Sequence, residues 1–138
     1  QKMLKAYGSK ELFTDIKWFD GIERINYLQS DVFIVSNAFT QEIADLKRIQ
    51  LQPVLHIPDN HIMMNVITDE KKKTIPDNTY IFVDDSFHNI ATSNAKYNLM
   101  VETPWNTNET QQKLAKDKPF EQFVDLNHLL DKIEILLR

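Results

Sequence analysis

Apolar residues in this chain gather into short solid blocks, and the segments between them carry apolar positions at helical spacing. Val32-Phe33-Ile34-Val35, Ile62 to Ile67 and Tyr80-Ile81-Phe82-Val83 are such blocks. The aromatic and β-branched run of the Tyr80 block predicts a strand buried on both faces, inside a parallel sheet rather than at its border, the Val32 block a second fully apolar strand, and Ile62 to Ile67 is the next apolar run. Tyr97 to Glu102 predicts a further strand. Ile22, Ile25 and Leu28, with Tyr27 beside them, predict an amphipathic helix to about Gln29, and Ile43, Leu46 and Ile49 share one face of a helix over Thr40 to Gln50. Ile90 and Ala91 fill a short helix ending around Asn94. Leu129, Leu130, Ile133, Leu136 and Leu137 make a terminal helix, preceded by Phe120, Phe123, Val124 and Leu126 re-entering the core. Pro53 makes Leu51 to Ile57 a border strand or a loop. Gln1 to Thr14 reads as a helix fragment or an arm, and Thr107 to Lys118 as an exposed loop. Strands alternating with helices predict right-handed βαβ units in a three-layer α/β domain.

Composition narrows the function classes. The 138 residues make one domain, with 42% hydrophobic and 26% charged residues. A formal net charge of -4 argues against a general nucleic-acid binder, while a small anionic ligand needs only local charge. Cysteine is absent, which removes disulfides and thiolate metal sites. The only glycines, Gly8 and Gly21, cannot supply a Walker loop or a dinucleotide fingerprint. No apolar run reaches membrane-spanning length, so a cytoplasmic protein without a membrane partner is expected.

Candidate chemistry sits where the strands stop. The Tyr80 strand ends at two adjacent carboxylates, Asp84 and Asp85. In open α/β sheets ligands bind at the carboxyl ends of strands, and a divalent cation relieves the repulsion between neighbouring acids. The pair is a candidate magnesium site. Asp-Asp-Ser after a strand equally suits a helix N-cap. The Val32 strand delivers Ser36 and Asn37 to its own carboxyl end, where a hydroxyl can hold a phosphate oxygen or cap the next helix. Lys71-Lys72-Lys73 is a solvated surface by type, although one ammonium reaching the crevice would suit a phosphate.

Taken in order, VFIVSNA, the lysine run, YIFVDDSFHNI and the ETPWN loop resemble the haloacid-dehalogenase-like (HAD) phosphohydrolases, and within them the 5'(3')-deoxyribonucleotidase-like group. The likeness covers about Ile16 to Asn106, with Phe120 to Arg138 similar to that group's terminal helix. It implies a Rossmann-like HAD core and a magnesium-dependent phosphatase of the 5'-nucleotidase type, acting on a small phosphorylated substrate such as a nucleoside monophosphate. By the resemblance, Ser36 would donate to the phosphoryl oxygen with the Asn37 backbone N–H assisting. Lys73, or else Lys72 or Lys71, would screen charge. Asp84 would hold Mg2+ with Asp85 as its partner, and Asn89 and Asn106 would shape the substrate site.

That family's nucleophile is an Asp in an hhhhDxDG-like first strand, which this chain does not show. Asp15 and Asp20 have the wrong spacing and lie too close to Val32. The expectation is therefore a single, incomplete HAD-like core over residues 1–138, with the first strand and cap absent and the chain alone inactive. That strand belongs between the Val32 and Tyr80 strands, so a second chain, self-association, a rearranged sheet or further residues of the natural protein would complete the sheet. The alternative function is a catalytically inactive HAD-like binding or assembly module. A receiver-like domain is a third reading, but Asp31 and Asp59 are poorly placed for phosphorylation. His56 and His61 lack zinc spacing, and the sequon at Asn108 matters only in a secreted protein.

Overall fold

The computed structural model describes residues 19–38, 40–66, 75–104, 106–107 and 118–138. In chain order it contains β1 (Ile34–Ala38), α1 (Gln41–Leu51), β2 (Ile62–Val66), β3 (Ile81–Val83), α2 (Phe87–Ala91), β4 (Tyr97–Val101), β5 (Glu121–Phe123) and α3 (Leu126–Leu136). Short 3-10 turns occupy Ile22–Tyr27 and Asp59–His61. The protein is mixed α/β with short parallel sheets, compatible with a Rossmann-like layout. It divides into two compact units, one holding 22–66 and the other 19–21 with the described part of 75–138. Among the described residues no helix is long and apolar enough to cross a membrane.

In the first unit β1 and β2 pair in parallel from Ile34↔Ile62 to Ala38↔Val66. β1 starts two residues later than the apolar block predicts. The His61 ring explains the delay: its Nδ1 lies 3.0 Å from the Val32 carbonyl, and Phe33 stacks on it at 4.1 Å. A carbonyl only accepts, so Nδ1 carries the proton. α1 begins at Thr40, whose hydroxyl accepts from the Ile43 N–H at 3.1 Å, a cap worth about 1 kcal/mol. Ile43 and Ala44 then pack on Ala38, with Leu46 and Met64 around them. Ile49 does not join its expected face and is 61% exposed, because the buried stripe runs through Ile43 and Leu51 instead. Leu51, Leu55 and Ile62 form a second cluster that takes in Ile22 and Ile25. The expected helix over Ile22 to Gln29 is only a 3-10 turn over Ile22–Tyr27. No strand forms around Pro53; α1 runs out into a turn there. Arg48 fastens α1 to the approach to β2, donating to Asp59 Oδ1 at 2.7 Å and to the Ile62 carbonyl at 3.0 Å.

In the second unit the strand order is β3-β4-β5, all parallel. β4 is the interior strand, with Asn98 to Val101 all buried. β3 was expected in that place, but it lies at the border of this sheet, and of its residues only Phe82 is buried while Val83 is 39% exposed. A solid apolar block does not reveal how many neighbours a strand finds, so the pattern was right about the strand and wrong about its position. Phe82, Phe87, Ile90, Ala95 and Met100 pack as one cluster, with the Phe120 ring edge-on to Phe87 at 5.6 Å. α3 packs against β4 and β5 through Leu126, Leu129, Leu130 and Ile133, the i, i+3, i+4, i+7 stripe of an amphipathic helix. Each fully buried leucine contributes roughly 2 kcal/mol. Val124, expected in the core, is exposed. Gly21 has φ +87°, where any side chain is strained, and a Cβ there would also have to displace the end of the Asn127 side chain of α3.

Candidate functional site

The first unit offers a hydroxyl and an ammonium. Ser36 lies in the middle of β1, opposite Met64, rather than just past the strand end. Alternation puts its side chain on the face of Ile34 and Ala38, the face that α1 covers, and Asn37 on the other. Lys47 of α1 reaches this point: its Nζ donates to Ser36 Oγ at 3.0 Å and to the Asn37 carbonyl at 2.7 Å. Sequence reasoning missed Lys47. The signal was there, since position 47 sits one turn from both Ile43 and Leu51, and a lysine on a buried helical row must take its ammonium to polar partners. The lysines expected to supply this charge, Lys71, Lys72 and Lys73, lie outside the described residues.

The second unit offers carboxylates. Asp84 follows β3 directly, its N–H donating to the Leu99 carbonyl at 3.2 Å, and it is only 7% exposed. Its Oδ1 accepts from the Ser86 N–H at 2.9 Å and from Asn89 Nδ2 at 3.2 Å. Ser86 is the N-cap of α2, accepting from the Asn89 N–H at 3.4 Å. Asp84, Ser86 and Asn89 therefore form one closed turn, in which Asp84 braces the start of α2 and Asn89 holds Asp84. Asp85 is half-buried beside them.

Asn106, 1% exposed, ties this turn to the sheet. Its Nδ2 donates to the Val101 carbonyl at 2.8 Å and to the Asp85 carbonyl at 3.2 Å. Its Oδ1 accepts from the Thr103 N–H at 2.7 Å and from Gln122 Nε2 at 3.1 Å. An amide has two donors and two acceptor sites, and all four are engaged inside the chain. Gln122, which sequence reasoning passed over, completes the cradle by also donating to the Asn106 carbonyl at 3.2 Å. A shallow depression of about 300 Å³ beside it is lined by Glu102, Thr107, Gln122 and Val124.

The structure thus brings Asp84, Asp85, Asn89 and Asn106 together in the second unit, and Ser36 with Asn37 in the first. Among the described residues no cluster of three or more His, Cys, Asp or Glu side chains is arranged for a metal ion. Mg2+ asks for less, because it commonly takes one or two carboxylates and keeps water and substrate phosphate as its other ligands. The hard oxygens of Asp84 and Asp85 fit that donor set. Comparison with family models, curated proteins and solved structures found no match to this chain.

Proposed function

We propose that the protein is the carboxyl-terminal part of a magnesium-dependent HAD-like phosphatase of the 5'-nucleotidase type, which hydrolyses a phosphomonoester when an aspartate-bearing strand completes it. The observation that supports this reading is the buried Asp84 carboxylate at the carboxyl end of a parallel strand, held in one orientation by Ser86 and Asn89. Asp84 and Asp85 would hold Mg2+, which when bound offsets negative charge on a phosphoryl group. Ser36 donates a hydrogen bond to a phosphoryl oxygen. Asn89 keeps the Asp84 carboxylate fixed, and Asn106 carries the loop that follows β4. These are positioning roles, suited to a reaction in which charge neutralisation and alignment do most of the work.

Calorimetric titration of the full chain with a nucleoside monophosphate, with and without Mg2+, tests the proposal. Binding should depend on Mg2+ and should be lost in Asp84→Asn, and the chain should release no phosphate by itself. Ser36→Ala should weaken the same binding. Binding indifferent to both Mg2+ and Asp84→Asn would overturn it. So would robust turnover by this chain, since the nucleophile would then lie elsewhere.

A second reading is an HAD-like binding or assembly module without catalysis. The closed hydrogen bonding of Asp84, Ser86, Asn89 and Asn106 favours it, because these side chains already have structural work within the chain. Mg2+-independent behaviour in the same titration would support it.

A further inference from the structure

We propose that Lys47 and Ser36 form one anion-binding unit, in which the Lys47 ammonium acts as a positioning group that turns the Ser36 hydroxyl proton toward a phosphoryl oxygen. The proposal rests on the phosphoester reading for its class of ligand. It adds a residue, Lys47, and a direction to that reading.

The argument is one of donors and acceptors. An ammonium has three N–H donors and no acceptor, so at 3.0 Å from Ser36 Oγ it must donate and the oxygen must accept. The Ser36 proton then points away from Lys47. Among the described residues nothing accepts that proton: the Ser36 side chain has the Lys47 contact and no other. Ser36 is half-buried, so the unclaimed O–H is neither freely hydrated nor sealed in the core. Lys47 is itself held in place by the Asn37 carbonyl at 2.7 Å and by its position on the α1 row of Ile43 and Leu51. A hydroxyl that receives a hydrogen bond from a cation is a better donor in turn, because hydrogen bonds in series polarise one another. An anionic oxygen is the acceptor that gains most from such a donor with a positive charge close behind it.

The test measures binding of orthophosphate to the full chain by calorimetry, with thermal melts to confirm folding. Lys47→Met keeps the length of the stem and removes the charge, and should weaken binding about tenfold or more. Ser36→Ala should weaken it to a comparable extent, and the double variant should bind within about twofold of Lys47→Met, as expected of groups acting as a unit. Lys47→Arg, still a cationic donor, should recover most of the affinity. A Lys47→Met protein that binds orthophosphate like the parent, whatever its melting temperature, overturns the inference and leaves Lys47 a structural tie. Failure of the folded parent to bind orthophosphate overturns it too. The two proposals fail separately. If Asp84→Asn abolishes Mg2+-dependent nucleotide binding while Lys47→Met is neutral, only the Lys47 inference falls. If orthophosphate binding follows Lys47 and Ser36 while Mg2+ and Asp84→Asn change nothing, the phosphatase reading falls and the anion unit stands.

Discussion

The polar groups of the first unit and those of the second solve different problems. In the second, the Asn106 amide satisfies all four of its hydrogen-bonding sites within the chain, and Asp84 takes two N–H groups on one oxygen. In the first, Ser36 accepts from Lys47 and keeps its own proton unclaimed among the described residues. Buried polar atoms that are satisfied hold a fold together, whereas an unmatched donor is available to something arriving from outside. Residue type and strand-end position alone would rank the second unit's residues first as ligands. Hydrogen-bond accounting gives the first unit an equal claim.

The largest expected effect that would sharpen this contrast comes from Asn106→Ala. It leaves the Val101 carbonyl and Thr103 N–H buried without partners, and should cost about 3 kcal/mol in the denaturant unfolding of the second unit. A loss well under 1 kcal/mol would mean that water replaces the amide and that Asn106 is available for other work. Gly21→Ala comes next. It forces a side chain onto φ +87° and into the space of Asn127, with an expected cost of about 2 kcal/mol. Adding Asn127→Ala should recover only the steric part. Ser36→Ala should cost about 1 kcal/mol or less, because it deletes a single hydrogen bond on a half-buried strand. A much larger loss would make Ser36 as structural as Asn106 and erase the comparison.

The smallest effect is acid sensitivity at α3. The Asp125 carboxyl is held below its ordinary range, chiefly by the His128 N–H it accepts at 2.8 Å and then by the His128 side chain. Because its folded pKa is depressed, Asp125 adds stability above its unfolded pKa, and that contribution disappears as pH falls below about 4 through the folded value. Asp125→Asn retains a capping side chain without the titration, so it should flatten this part of the pH–stability curve. An unchanged acid slope in that variant would place the sensitivity at other carboxylates.

Periodic features were legible in the sequence. The Leu126–Leu136 stripe and the strand blocks follow from local spacing, which the chain carries within a few residues, whereas the cap of α1 is Thr40 and not Ser36 or Asn37, both of which lie within β1. What could not be read depends on partners distant in sequence. β3 has the composition of an interior strand and lies at a border. β1 keeps its pairing with β2 as far as Ala38↔Val66, nearly thirty residues away in sequence, so Ser36 sits within the strand instead of beyond it. Lys47 was invisible while helix faces were judged by their apolar residues alone, since the residue that matters on that row is the one that breaks the pattern. For the candidate site, Asp84, Asp85, Asn89 and Asn106 do gather in space, but that the amide of Asn106 is fully engaged only coordinates could reveal.

The cradle around Asn106 also sets what a carboxylate in its place would cost. Spontaneous deamidation exchanges the side-chain nitrogen for oxygen, and both groups now facing that nitrogen, the Val101 and Asp85 carbonyls, are oxygens too. Two attractions would become two repulsions inside a closed space. Deamidation of a surface asparagine alters charge and little else, whereas the Asn106→Asp variant, which carries the same change, should melt well below the parent.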